Sequence, residues 1–155
     1  MSAEVHIRRS KIRRMFEQQF RVLNSKIEQA MERTGYGAKF HIKYSPHFLD
    51  RVIMRDIEEK SVLDLLSAFG SDVIFEEVMD YLFLPPVPDD MKLDPNVRYR
   101  ELRLEITNGK LWIGLTADKV QHSPYTYGLC CRMGIVNEKR MAGKTSTRLI
   151  DLRKD

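Results

Sequence analysis

The chain reads as an α+β fold in which N-terminal helices pack on an antiparallel β-sheet. Three observations carry that reading. A long amphipathic period opens the chain, a Ser-Pro helix start follows it, and the second half holds an Asn-Gly hairpin between alternating apolar segments. Helices come first and strands after, with no internal repeat and no low-complexity tract.

The first element is expected from about Val5 to Arg33. Ile12, Met15, Phe16, Phe20, Leu23, Ile27 and Ala30 recur at helical spacing, and Thr34-Gly35-Tyr36-Gly37 supplies the stop. Lys39-Phe40-His41-Ile42-Lys43-Tyr44 alternates, as a short strand or an extended entry to the next helix does. That helix starts at Ser45, a good N-cap, with Pro46 at the first helical position, where a missing N–H costs nothing. Ile57, Val62, Leu63, Leu65, Leu66 and Phe69 give a further short helix ending near Gly70. Val73 to Leu84 is apolar enough for a strand, and Pro85-Pro86-Val87-Pro88 then breaks regular structure, leaving a loop to Val97. Arg103-Leu104-Glu105-Ile106-Thr107 and Lys110-Leu111-Trp112-Ile113-Gly114 flank Asn108-Gly109. A two-residue turn there pairs Ile106 with Leu111 and Leu104 with Ile113 toward the core, and Glu105 with Trp112 on the other face. Leu129 to Val136 and Thr147 to Leu152 are the remaining strands.

Composition bounds the function classes. At 155 residues, 43% hydrophobic and 31% charged, residues 1–155 suit one folded domain with its own core. No apolar run reaches the length of a membrane-spanning helix, and the N-terminus holds Glu4 and Arg8 with no apolar leader, so a non-secreted protein off the membrane is expected. Adjacent Cys130 and Cys131 bridge only with strain and read as two thiols on a strand in a reducing compartment. Histidines at 6, 41, 47 and 122 give no zinc spacing, and the acidic residues lack the grouping of a two-metal nuclease, so neither a metal nor another cofactor is expected.

The net charge of +4 is unevenly laid out. Residues 1–33 carry eight Lys/Arg against four Asp/Glu, residues 34–55 four against one, residues 56–95 two against eleven, and residues 96–155 twelve against six. Two basic blocks around an acidic one imply a polarised surface with a basic side for a polyanion. Arg8, Arg9, Lys11, Arg13 and Arg14 stand in the first turns of the long helix, where cations oppose the dipole; phosphate contact or tolerated surface charge would account for them.

The chemistry-bearing constellation is on the Ser-Pro helix. At 100° per residue, Phe48, Leu49, Val52 and Ile53 share one face, and His47, Arg51 and Arg55 lie opposite. An imidazole one turn from a guanidinium is what phosphodiester cleavage needs: one group moves a proton and the other holds developing negative charge. The solvent side of the hairpin, with Arg103, Glu105, Trp112 and the gap at Gly114, suits a shallow binding surface or a plain solvated face. Ala142-Gly143-Lys144-Thr145-Ser146 lacks the first glycine of a nucleotide-binding loop, since position 138 is Glu, and reads instead as a turn whose Lys144 reaches a phosphate. His6, ahead of the long helix, and His122, at a loop tip, read as bystanders. His41 is the internal candidate for a second imidazole, or else a structural histidine.

Several blocks in order resemble the RegB endoribonucleases of T-even-like bacteriophages over nearly the whole chain. They are Ile7-Arg8-Arg9, Lys11-Ile12-Arg13-Arg14, Phe40-His41-Ile42-Lys43-Tyr44-Ser45, His47-Phe48-Leu49-Asp50-Arg51, Pro85-Pro86, Arg103 to Trp112, Cys131-Arg132-Met133 and Gly143-Lys144. The resemblance implies a fold similar to the RelE/YoeB-type ribonuclease toxins. It also implies a metal-independent, sequence-specific endoribonuclease of the host cell cytoplasm. Such an enzyme cuts early phage mRNA inside GGAG-type ribosome-binding sequences and leaves 2′,3′-cyclic phosphate and 5′-OH ends. A host small-subunit ribosomal protein would stimulate it, and the chain is expected to be a monomer. By residue matching, His47 is implied as the acid/base and Arg51 as the transition-state stabiliser. Arg55, Arg103, Glu105, Trp112, Arg132 and Lys144 are the candidate contacts to single-stranded RNA. The family's second functional histidine aligns with Ser67. Serine is no acid or base near neutrality, so His41 or Glu105 would substitute, activity would be weak, or the chain would act as an RNA-binding translational regulator with little cleavage.

Overall fold

The computed structural model describes residues 3–119, 126–140 and 146–153. The long apolar period forms helix α1 (Ala3–Thr34), which buries Ile12, Phe16, Phe20, Leu23, Ile27 and Ala30 along one stripe. Gly35 ends it in the left-handed region at φ +77°, its N–H donating to the Met31 carbonyl at 3.0 Å. His6 lies within this helix, not ahead of it. Strand β1 (Lys39–Tyr44) follows, then helix α2 (Pro46–Met54), helix α3 (Glu59–Leu66) with a 3-10 turn over Ser67–Gly70, and helix α4 (Asp72–Phe83).

Helix α4 corrects the expected strand over Val73 to Leu84. Phe75, Val78, Met79 and Leu82 follow the i, i+3, i+4, i+7 pattern, and the Ser71 hydroxyl caps the helix by accepting from the Ile74 N–H at 3.2 Å. The apolar run hid that period. Its aromatic partners complete the core: Phe75 stacks on Phe40 of β1 at 5.5 Å and meets Tyr36 edge-on. The Tyr81 hydroxyl donates to the Glu101 carbonyl at 2.8 Å, and burial pushes its pKa up to about 12.

The second half supplies β2 (Arg103–Thr107), β3 (Leu111–Lys119), β4 (Thr126–Val136) and β5 (Thr147–Asp151). With β1 they form one five-stranded sheet in the order β1-β4-β3-β2-β5. The sheet is mixed, not antiparallel: β1 runs parallel to β4 and β2 parallel to β5, while β2–β3 and β3–β4 are antiparallel. Apolar alternation encodes which face a side chain takes and not the direction of its neighbour, so these pairings were not legible.

The hairpin forms two residues out of the expected register. Ile106 pairs with Ile113 and Leu104 with Leu115, and the pairing closes at Thr107 and Trp112. Side chains make the wider turn. Asn108 Oδ1 accepts from the N–H groups of Lys110 and Leu111, and Thr107 Oγ1 accepts from the Gly109 N–H while donating to the Leu111 carbonyl. A two-residue shift preserves alternation, so every core assignment in the hairpin survives. Helices α1, α2 and α3 pack against the sheet, and α4 packs against α1. The other face is covered over Glu105, Thr107 and Trp112 and open beside Gly114 and Arg132, and the functional groups gather at that open part.

Candidate active site

Helix α2 is set on the sheet by its first residue. Ser45 is extended (φ −82°, ψ 155°), its Oγ accepts from the Phe48 N–H at 3.1 Å, and its own N–H donates to the Cys131 carbonyl at 3.2 Å. Pro46 occupies the first helical position. Phe48, Leu49 and Val52 are buried, which turns His47 and Arg51 outward beside Arg132 and Met133 of β4. The Arg55 Nη1 ties the other end of the helix down by donating to the Gly134 carbonyl at 2.7 Å.

A β-bulge supplies the facing wall. Gly114 of β3 pairs with Met133 of β4, but the next residue, Leu115, pairs with Cys131, so Arg132 is the extra residue. Cys131 points into the core, while Arg132 and Met133 both leave on the open side; a bulge re-aims a side chain in this way. Arg132 Nε donates to Thr116 Oγ1 at 3.1 Å, and its Nη2 stands 3.9 Å from Asp118, which also lies 3.5 Å from Lys43 Nζ. Gly114 keeps the floor low: a Cβ there would sit 3.3 Å from Met133 Cε and 3.5 Å from Arg103 Cδ.

Between these walls is a cleft of about 610 Å³, lined by His47, Arg51, Arg103, Thr116 and Arg132, with Ser45, Pro46, Gly114 and Met133. Three guanidiniums and one imidazole face it, and none of the lining residues is a carboxylate. That charge set receives an anion. A larger hollow of about 750 Å³ between α1 and α3 includes Lys11, Arg14 and Lys60 but also Glu58, Glu59 and Asp64, so its charges cancel.

Four of the residues expected from sequence therefore come together: His47, Arg51, Arg103 and Arg132. The others do not. Arg55 serves as the tether to Gly134. Glu105 is 3% exposed, and its Oε1 accepts from Arg140 Nη2 at 2.9 Å. Trp112 is 0% exposed; its Nε1 donates to the Asn137 carbonyl, and the Arg140 and Arg153 guanidiniums lie 5.4 and 5.7 Å from its ring centroid. The ring is thus covered and offers no stacking face. Lys144 and His122 lie outside the described residues. His41 stands on β1 opposite Gly128, away from the cleft lining, and burial, with Lys43 and Lys39 adding to it, lowers its pKa. Ser67 is also outside the lining, its hydroxyl donating to the Asp64 carbonyl at 2.6 Å. The basic start of α1 has local partners: Arg8 pairs with Asp56 and Arg9 with Asp50, which ties α1 to the α2 region. Thr116, Met133 and Asp118 were missed, because an ordinary strand residue acquires a place in the site only through the bulge.

Known proteins match this chain along nearly its full length. The family profile described as "T4-page Endoribonuclease RegB" matches residues 1–151. The chain belongs to the RegB endoribonuclease family. Endoribonuclease RegB of Enterobacteria phage T4 is 43% identical over 151 residues, covering 97% of each protein. The solution structure of the phage T4 endoribonuclease RegB is similar with a TM-score of 0.64 at 42% identity, over 94% of this chain and 95% of that one. By this homology the chain is an endoribonuclease with RNA as its substrate, which agrees with a cleft lined by cations. The α+β arrangement, a long N-terminal helix and further helices on a five-stranded mixed sheet, matches the RegB structure. Among the described residues no helix is long and apolar enough to cross a membrane.

Proposed function

We propose that this RegB-family protein is a metal-independent, sequence-specific endoribonuclease that cleaves early phage mRNA within GGAG-type ribosome-binding sequences in the host cell cytoplasm. The observation that carries the reading is the convergence of His47, Arg51, Arg103 and Arg132 on one cleft. The 2′-OH of a ribose attacks its own 3′-phosphorus, and His47 accepts the hydroxyl proton. The bond from phosphorus to the 5′-oxygen breaks, that oxygen takes up a proton, and the products are a 2′,3′-cyclic phosphate and a free 5′-OH. Negative charge grows on the non-bridging oxygens as the fifth bond forms, and Arg51 is the group that stabilises it. Arg103 and Arg132 hold the backbone. Base recognition uses single-stranded RNA, whose unstacked bases expose their edges. A host small-subunit ribosomal protein acts as stimulator, and the protein works as a monomer.

The cleft lining holds one imidazole, and the resemblance implies that the family's second histidine falls at Ser67. This single observation favours a second reading, an RNA-binding translational regulator with weak cleavage. Purified protein incubated with a short GGAG-containing RNA in EDTA separates the two. Cleavage giving cyclic-phosphate ends, reduced about 10²–10⁴-fold by His47→Ala, is expected of the enzyme. Tight binding with the RNA left intact, under conditions where Ser67→His cuts it, establishes the regulator instead.

A further inference from the structure

Arg132 is the bulged residue of β4, and a bulged side chain gains direction but loses the neighbours that regular pairing would give it. Two side chains on the adjacent strand replace them. Thr116 Oγ1 accepts from Arg132 Nε at 3.1 Å, and the Asp118 carboxylate lies 3.9 Å from Nη2. Thr116 and Asp118 are two apart on β3 and so project to the same open face as the cleft. Neither contact uses Nη1, which leaves that end of the guanidinium for an anion in the cleft. The side chain of Arg132 is about half exposed, at 51%, so without a tether it would sample many rotamers.

We propose that Thr116 is a positioning residue of the nuclease: its hydroxyl, with Asp118 as a second anchor, fixes the Arg132 guanidinium toward the reacting phosphate. The inference rests on the proposed reading of Arg132 as a phosphate contact and adds what holds it. An arginine locked before substrate arrives needs no reorganisation as charge develops, so the tether acts on the transition state more than on ground-state binding. The polar tip of Thr116, not its bulk, does this.

Steady-state cleavage of a short GGAG-containing RNA by the full chain tests it with single and double variants. Thr116→Val keeps the shape and the β-preference and removes the hydroxyl; kcat is expected to fall about tenfold with KM within about twofold. Thr116→Ser returns the hydroxyl and should recover most of kcat. In an Arg132→Ala background, Thr116→Val should have no further effect, since a tether with nothing to hold is silent. Asp118→Asn should show a smaller loss that likewise vanishes with Arg132→Ala. Full kcat in Thr116→Val while Arg132→Ala is impaired overturns the positioning role and leaves the reading of Arg132 intact. Losses that multiply between Thr116→Val and Arg132→Ala overturn it equally. If Thr116→Val unfolds, Thr116→Ala replaces it under the same criteria. Arg132→Ala cleaving at the wild-type rate, or wild-type protein leaving the RNA intact, overturns the underlying reading and the inference with it.

Discussion

Glu105 and Arg140 form a 2.9 Å ion pair in which the carboxylate side chain is 4% exposed and the guanidinium 27%. The pair sits on the open face beside Gly114, whose Cα is the register partner of Glu105, so it borders the cleft without entering it. A buried carboxylate that spends its charge on a neighbour is a structural group. Glu105→Ala strands the Arg140 charge over Trp112 and should destabilise the fold by about 3 kcal/mol. Chemical denaturation measures that loss, and RNA cleavage at a temperature where the variant is folded should stay within about threefold of wild type.

Trp112 is the chain's one tryptophan, so its fluorescence reports this place alone. With the ring fully buried and the Arg140 and Arg153 guanidiniums packed against it, its emission should be insensitive to iodide in the folded protein. Trp112→Phe removes the hydrogen bond to the Asn137 carbonyl and part of the packed volume, at a cost of about 1–3 kcal/mol. RNA affinity of the folded variant should stay within about twofold, measured by anisotropy of labelled RNA. A stacking residue would instead lose affinity by tenfold or more.

The contrast between His47 and Trp112 shows what the sequence carried. The α2 helix was readable to the residue, because Ser45, Pro46 and the Phe48–Leu49–Val52 face are local signals acting within one turn. The gap at Gly114 was likewise legible as open space, and the cleft floor is there. Trp112 and Glu105 were placed on the correct face, but what covers them, Arg140 and Arg153, comes from segments far along the chain. The bulge at Arg132 follows from an irregular register between two strands, and the α4 period was masked by a run apolar on more than one side. Local chemistry was visible; long-range pairing and coverage were not.

His41 gives a signed pH effect. Burial lowers its pKa below the usual 6.5 of an imidazole, with Lys43 and Lys39 adding to the effect, so the folded state favours neutral imidazole. The unfolded chain then binds more protons in the window just below pH 6.5, and stability falls as pH drops through it, levelling below the folded-state pKa. His41→Gln removes this contribution. Urea midpoints from pH 7.5 down to pH 5 should decline less in the variant than in wild type; parallel curves would show that His41 carries no such load.

Arg103 and Arg132 make a prediction about salt. If each neutralises one phosphate of single-stranded RNA, replacing either with Ala should make the slope of log K against log salt shallower by about 0.7. Replacing Arg55, whose guanidinium is spent on the Gly134 carbonyl, should leave the slope unchanged while lowering stability. Titrations of an uncleavable RNA, with 2′-deoxyribose at the scissile position, measure this without interference from turnover.

Gly114 separates stability from function most sharply. It needs no left-handed backbone, and the atoms nearest an added Cβ are the side chains of Met133 and Arg103, at 3.3 to 3.5 Å. The one tight neighbour, Met133 Cε, is a chain end that can move by the few tenths of an ångström required, while Met133 Cβ and Arg103 Cδ stand at ordinary contact distance. A strand glycine lowers stability relative to alanine by roughly 0.5–1 kcal/mol. Gly114→Ala should therefore leave the thermal midpoint unchanged or slightly raised. Gly114→Val extends further into the cleft, displacing Arg103 from one side and Met133 from the other. RNA affinity should fall modestly in the alanine variant and by about tenfold or more in the valine variant, following the size of the side chain while the fold persists. Equal affinity across Gly, Ala and Val would mean that RNA does not cross this floor at all.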